Sequence, residues 1–141
     1  MKNRAILFLV LIFISCNSQD NKMIDIPLIT VIKLQSSEAL LDFKSAKKYI
    51  DVEKVYGKYK ASKNPQKEWK ETITFFYNLG ESKKNTNQFK YFKYNINTTI
   101  NELHSKVYFI SKDQNVKIKE IIYSLDKVKN RWIVVDIEYQ N

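Results

Sequence analysis

From residue 92 onward the chain alternates. Phe92, Tyr94, Ile96, Thr98 and Ile100 are separated by Lys93, Asn95, Asn97 and Thr99. A period of two puts successive side chains on opposite faces of a strand, here one apolar and one polar. A second strand follows, with Val107 and Phe109 facing one way and Lys106, Tyr108 and Ile110 the other. Asp113, Gln114 and Asn115 carry turn chemistry. Residues 116–125 predict a third strand whose inward set shifts around Glu120, Ile121 and Ile122, as a bulge would cause. After a turn at residues 127–130, the last strand is expected to point Ile133, Val135, Ile137 and Tyr139 inward. Its other face would carry Trp132, Val134, Asp136 and Glu138.

Before residue 88 the period is helical. Ser36 and Ser37 can cap a helix whose stripe is Ala39, Leu40, Phe43, Ala46 and Ile50, predicting helix to about Tyr49. In that reading Glu38 lies in the first turn, where the helix dipole accounts for an acid. Asp51 can cap a short second helix through Val52, Val55 and Tyr56. Asn64 followed by Pro65 is a start signal for a third, with Trp69, Ile73 and Phe76 on one face, Thr72 and Tyr77 flanking it, and Gly80 expected to close it. Residues 24–34 fit either a strand or the lead into a helix, because Pro27 suits an edge strand and a first helical turn alike. Helices followed by hairpin-linked strands predict an α+β domain. Its N-terminal helices would pack on a curved four-stranded antiparallel meander sheet.

An early amphipathic helix, a meander, and a final strand Arg131-Trp132-Ile133-Val134-Val135-Asp136-Ile137 make residues 36–140 similar to the NTF2-like and cystatin-like group of small cone-shaped domains. The helix that fuller NTF2-like domains insert between early strands is missing here. The resemblance implies a pocket between sheet and helices.

The beginning of the chain follows a third pattern. Lys2 and Arg4 precede an unbroken apolar run over residues 5–14, then Ser15 and the single cysteine, Cys16. These are the parts of an export signal. The run is about half of the roughly 20 residues a spanning helix needs. Phe13-Ile14-Ser15-Cys16 resembles the lipobox of bacterial lipoproteins, with Phe13 where Leu is usual. The resemblance implies residues 1–15 as a cleaved signal peptide, lipid on the Cys16 sulfur, and residues 16–23 as a flexible tether. Residues 24–141 are then a single α+β domain, exported and anchored at an envelope membrane, facing the periplasm or at the outer membrane. Two or three acyl chains hold a protein at a membrane durably.

Charge adds a constraint. Without Lys2 and Arg4 the 24 Lys+Arg become 22 against 15 Asp+Glu, a net of +7, with Arg131 the one arginine left. Lysine is a hydrated point charge, whereas planar arginine forks suit phosphate and base edges. Together with the export signal, this argues against a nucleic-acid partner. A solvated lysine surface is the plain reading; attraction to anionic lipid headgroups or an acidic partner is the sharper one.

The candidate chemistry is sparse. His104 shares a face with Lys106 and is expected in solvent without a local nucleophile. Asp136 and Glu138 share a face and are expected to pair across strands with Lys117 and Lys119. Phe89, Lys90, Tyr91 and Lys93 interleave aromatic and basic residues; the run reads as a strand with one core face, and as a candidate binding patch where Phe89 and Tyr91 are exposed. Tyr94, Tyr123 and Tyr139 are candidate pocket-lining residues with polar tips. No catalytic residue, metal ligand set or cofactor is assigned, and the oligomeric state is open. Two functions fit. One is a membrane-tethered, non-catalytic binding or inhibitory module for an envelope protein, glycan or anionic lipid. The other is a small NTF2-like enzyme or ligand carrier, which requires a cavity with convergent polar groups and a strongly shifted pKa.

Overall fold

Short polar side chains and prolines set where the helices begin. In the computed structural model, which describes residues 26–58, 63–82 and 89–141, α1 spans Pro27–Ala39, with Pro27 in its first turn. Proline fits there because its fixed φ suits the helix and its missing N–H would have been unpaired anyway. The buried positions of α1 are Pro27, Thr30, Val31, Leu34 and Gln35, one helical face. Two of the five are polar, which hid the stripe from a purely apolar count.

The helix expected over residues 36–49 is therefore a correction. Ser36 and Ser37 close α1 instead of opening a helix. Leu41 takes a left-handed φ of 55°; its N–H donates to the Glu38 carbonyl and that of Asp42 to the Ser37 carbonyl. This is a Schellman stop built with leucine where glycine is usual. Asp42 then caps the short α2 (Phe43–Ala46), accepting from the Ser45 N–H at 3.0 Å. Asp51 caps α3 (Val52–Gly57) and Asn64 caps α4 (Pro65–Ser82), as their side chains predict. The helix does not close at Gly80 but continues to Ser82.

A 3-10 turn at Tyr91–Lys93 leads into β1 (Tyr94–Ile100), β2 (His104–Ser111), β3 (Glu120–Val128) and β4 (Arg131–Gln140). They form a four-stranded antiparallel meander in the order β1-β2-β3-β4, with the helices packed on the sheet. Phe92 precedes the first strand and is exposed, as is Ile100 at its end, so neither joins Tyr94, Ile96 and Thr98 on the inner face. Val107 and Phe109 are buried as expected. The third strand starts later than predicted, leaving Val116 and Ile118 outside it and exposed.

The bulge is also displaced. Ser124 pairs with Asp136 and Leu125 with Val134, so Val135 of β4 has no partner. One extra residue reverses the side-chain alternation. Trp132 and Val134 before it, and Ile137 and Tyr139 after it, thus share the inner face with Leu125, Tyr123 and Ile121. The inward assignment of Ile133 and Val135 is corrected to Trp132 and Val134, which are buried.

A single core joins sheet and helices. Trp69, Phe109, Leu34 and Leu125 are its largest fully buried side chains. Residues 49–51 cover the open edge of β4: the Val134 N–H donates to the Tyr49 carbonyl, and the Asp51 N–H to the Val134 carbonyl. α1 packs on β2 and β4, and α3 on β4, but α4 rests mainly on α3 and α1. That stand-off leaves room between α4 and the sheet.

Candidate ligand groove

The room is a groove of about 860 Å³. Its floor is the inner face of the sheet, including Tyr94, Ile121, Tyr123, Ile137 and Tyr139. One wall is α4, through Glu68, Thr72, Ile73, Phe76 and Tyr77; α1 adds Gln35 and Glu38, and α3 adds Val55 and Tyr56. The mouth is wet, because Tyr139 is 60% and Phe76 is 59% exposed.

Gln35 organises the polar end. Its Nε2 donates to the Tyr123 hydroxyl at 2.9 Å, and its Oε1 accepts from the Tyr91 hydroxyl at 2.8 Å. A side-chain amide offers both roles, so one residue satisfies two phenols. Burial raises the Tyr123 pKa well above its ordinary value, more than the Gln35 bond lowers it. Burial also raises Tyr91. Phe89 stacks on Tyr94 with centroids 4.9 Å apart and meets Phe109 edge-on at 5.1 Å.

Glu38 carries the electrostatics. Burial lifts its pKa from 4.5 to about 7, against the Trp69 indole N–H that donates to its Oε1 at 2.7 Å. It lies in the last turn of α1, where no basic residue balances it. A helix C-terminus carries partial negative charge, so the position itself disfavours a carboxylate.

A smaller hollow of about 420 Å³ surrounds His104, Ser105 and Asp126. His104 Nδ1 lies 2.9 Å from Asp126 Oδ1, and Lys54 Nζ lies 3.1 Å from Asp126 Oδ2. Burial acts to raise the Asp126 pKa, but the His104 and Lys54 contacts together outweigh it and leave the carboxyl below its usual value. The Ser105 hydroxyl donates to the Thr99 carbonyl at 2.7 Å, so it is not aimed at the imidazole. The cluster is a surface charge network, and its position on the face of Lys106 agrees with the sequence.

The groove gathers all three tyrosines singled out in the sequence, Tyr94, Tyr123 and Tyr139. The candidate patch is divided: Phe89 and Tyr91 pack inward on Phe109, while Lys90 and Lys93 stay exposed. Asp136 meets Lys58 from the end of α3, not Lys117 or Lys119, which lie ahead of β3. Cys16 and the leading segment are outside the described residues. Sequence reasoning missed Gln35 and Glu38 as site residues because their helix was placed one segment late. A glutamate at a helix C-terminus was the available signal. Among the described residues no cluster of His, Cys, Asp and Glu could hold a metal ion, and no helix is long and apolar enough to cross a membrane. No protein-family model, curated protein or solved structure matches this chain.

Proposed function

We propose that this is a membrane-tethered envelope protein that binds a small amphipathic ligand without transforming it. The groove carries the reading. Its volume of about 860 Å³ falls in the range of roughly 300–1,000 Å³ used for small-molecule sites, and its few polar groups converge among apolar and aromatic walls. The tether is the lipid on Cys16 implied by the lipobox; mass spectrometry of the native product should find a chain starting at Cys16 with added acyl mass. Glu38 supports a second reading, proton-transfer chemistry on the same ligand, since a pKa of about 7 suits a general acid or base.

The test of binding is a fluorescence titration with N-phenyl-1-naphthylamine, a neutral apolar probe. The protein should bind it saturably. Thr72→Trp places an indole in the groove from α4 without removing core atoms and should abolish most of the signal. Non-saturable fluorescence, or equal binding by the variant, would remove the groove from the function.

A further inference from the structure

The chain is lysine-rich, with 24 Lys+Arg against 15 Asp+Glu. Its groove is the reverse. Among the described lining residues there are two acids, Glu38 and Glu68, and neither lysine nor arginine. The acids come from different helices, α1 and α4, so their presence in one groove belongs to the tertiary fold. Aromatic rings from α3, α4 and the sheet line the same groove.

From this we infer that the ligand is an organic cation: an amine with an apolar body, its ammonium directed at Glu38 and its body along Ile73, Ile121 and Ile137. The inference rests on the groove being a ligand site and names the class of ligand. Three observations converge. Among the described residues, only Trp69 hydrogen-bonds the Glu38 carboxyl, and it occupies one oxygen. The second oxygen can accept from an ammonium. Aromatic faces attract cations through the ring quadrupole, most strongly when the cation is desolvated. An anionic headgroup would instead meet two acids, with no lysine or arginine among the described lining residues to offset their repulsion. The positive charge of the whole molecule attracts anions from a distance, so selection for a cation must come from the groove itself.

Protonation of Glu38 sets the pH dependence. Among the described lining residues, the other titratable groups are Glu68 and Tyr77 from α4, Tyr56 from α3, and Tyr94, Tyr123 and Tyr139 from the sheet. An alkylamine stays charged well above neutral pH, as lysine does at about 10.4. With Glu38 titrating at about 7, cation binding should strengthen from pH 6 to pH 8.

The experiment compares octylamine, octanol and octanoate by calorimetry on the lipid-free full-length chain at pH 8, beside the naphthylamine titration. Octylamine should bind about tenfold or more tighter than octanol, the effect of one charge-assisted hydrogen bond of at least about 1.5 kcal/mol. Octanoate should bind weakest. Glu38→Gln keeps an acceptor for Trp69 and should bring octylamine down to the octanol level while leaving octanol unchanged. Equal affinities for the three ligands, or a preference for octanoate, would overturn the inference even if Glu38→Gln failed to fold. If the naphthylamine binds saturably but octylamine does not, the cation inference falls and the groove stands. If neither binds, both fall.

Discussion

Glu38 makes the sharpest prediction at the scale of one residue. Its carboxyl titrates at about 7 when folded, against 4.5 when free. An acid with a raised folded-state pKa holds its proton more tightly in the native state. Its contribution to stability is complete below about pH 4.5 and is lost as pH rises through 7. The full shift corresponds to roughly 3 kcal/mol. Urea denaturation should therefore show stability falling between pH 5 and pH 8. Glu38→Gln should flatten much of that slope and be the more stable protein at pH 8; matching slopes in both proteins would refute the assignment. Gln35 gives a second test. Gln35→Leu takes away the N–H that the buried Tyr123 hydroxyl accepts from and should cost about 2 kcal/mol, because an orphaned buried polar group forfeits its hydration. Tyr123→Phe should cost about 1 kcal/mol. The double variant should be more stable than the two costs added together predict, since the second change removes the orphan that the first creates. The sequence displayed the three groove tyrosines because alternation places them on strands. It concealed Gln35 and Glu38 because burial by hydrogen bonding leaves no apolar stripe to read.

At the scale of elements, local chemistry was legible wherever one side chain does the work. Asp51, Asn64 and Pro65 announce their helices through the caps and the fixed φ they supply. Val107 and Phe109 announce β2 through burial at alternate positions. Two other devices left no signature. Leu41 ends α1 in the left-handed region without the glycine that normally marks such a stop. Val135 bulges within Trp132-Ile133-Val134-Val135, where every residue is apolar and alternation cannot show which one is extra. The β3–β4 hairpin has a related feature. Its turn residues Lys129 and Asn130 have φ of 49° and 62°, the two-residue mirror-image turn for which Asn-Gly is favoured. Replacing them together, Lys129→Asn with Asn130→Gly, should stabilise the fold by about 0.5–1 kcal/mol, less what added glycine freedom returns to the unfolded chain. Thermal melting should rise by about 2–5 °C. An unchanged or lower midpoint would mean that Lys129 contributes something beyond turn geometry.

The whole molecule sets a well-paired sheet beside a helix, α4, that is unevenly buried along its length. β2 and β3 are flanked by strands on both sides, and the exposed edge of β4 is partly paired by residues 49–51. α4 differs. Trp69 is fully buried and Phe43 meets it edge-on at 5.2 Å, but further along the helix Phe75 is 62% exposed, Phe76 is 59% and Leu79 is 38%. The first half of α4 is therefore anchored in the core, and among the described residues its second half keeps more of its apolar side chains in solvent. Local opening costs least where few apolar contacts must be broken. Amide hydrogen exchange should find residues 75–79 exchanging much faster than β2 and β3, with residues 66–70 between them. A ligand in the groove would bridge Phe76 and Ile73 to the sheet and add contacts there. Saturating octylamine should slow exchange at residues 73–77 selectively, by linkage between binding and opening, while leaving the β3–β4 turn unaffected. Uniform slowing across the chain would mean general stabilisation by binding elsewhere. Slowing confined to α4 and the facing ends of β3 and β4 would show that the more exposed half of one helix is a wall of the site that the ligand holds in place.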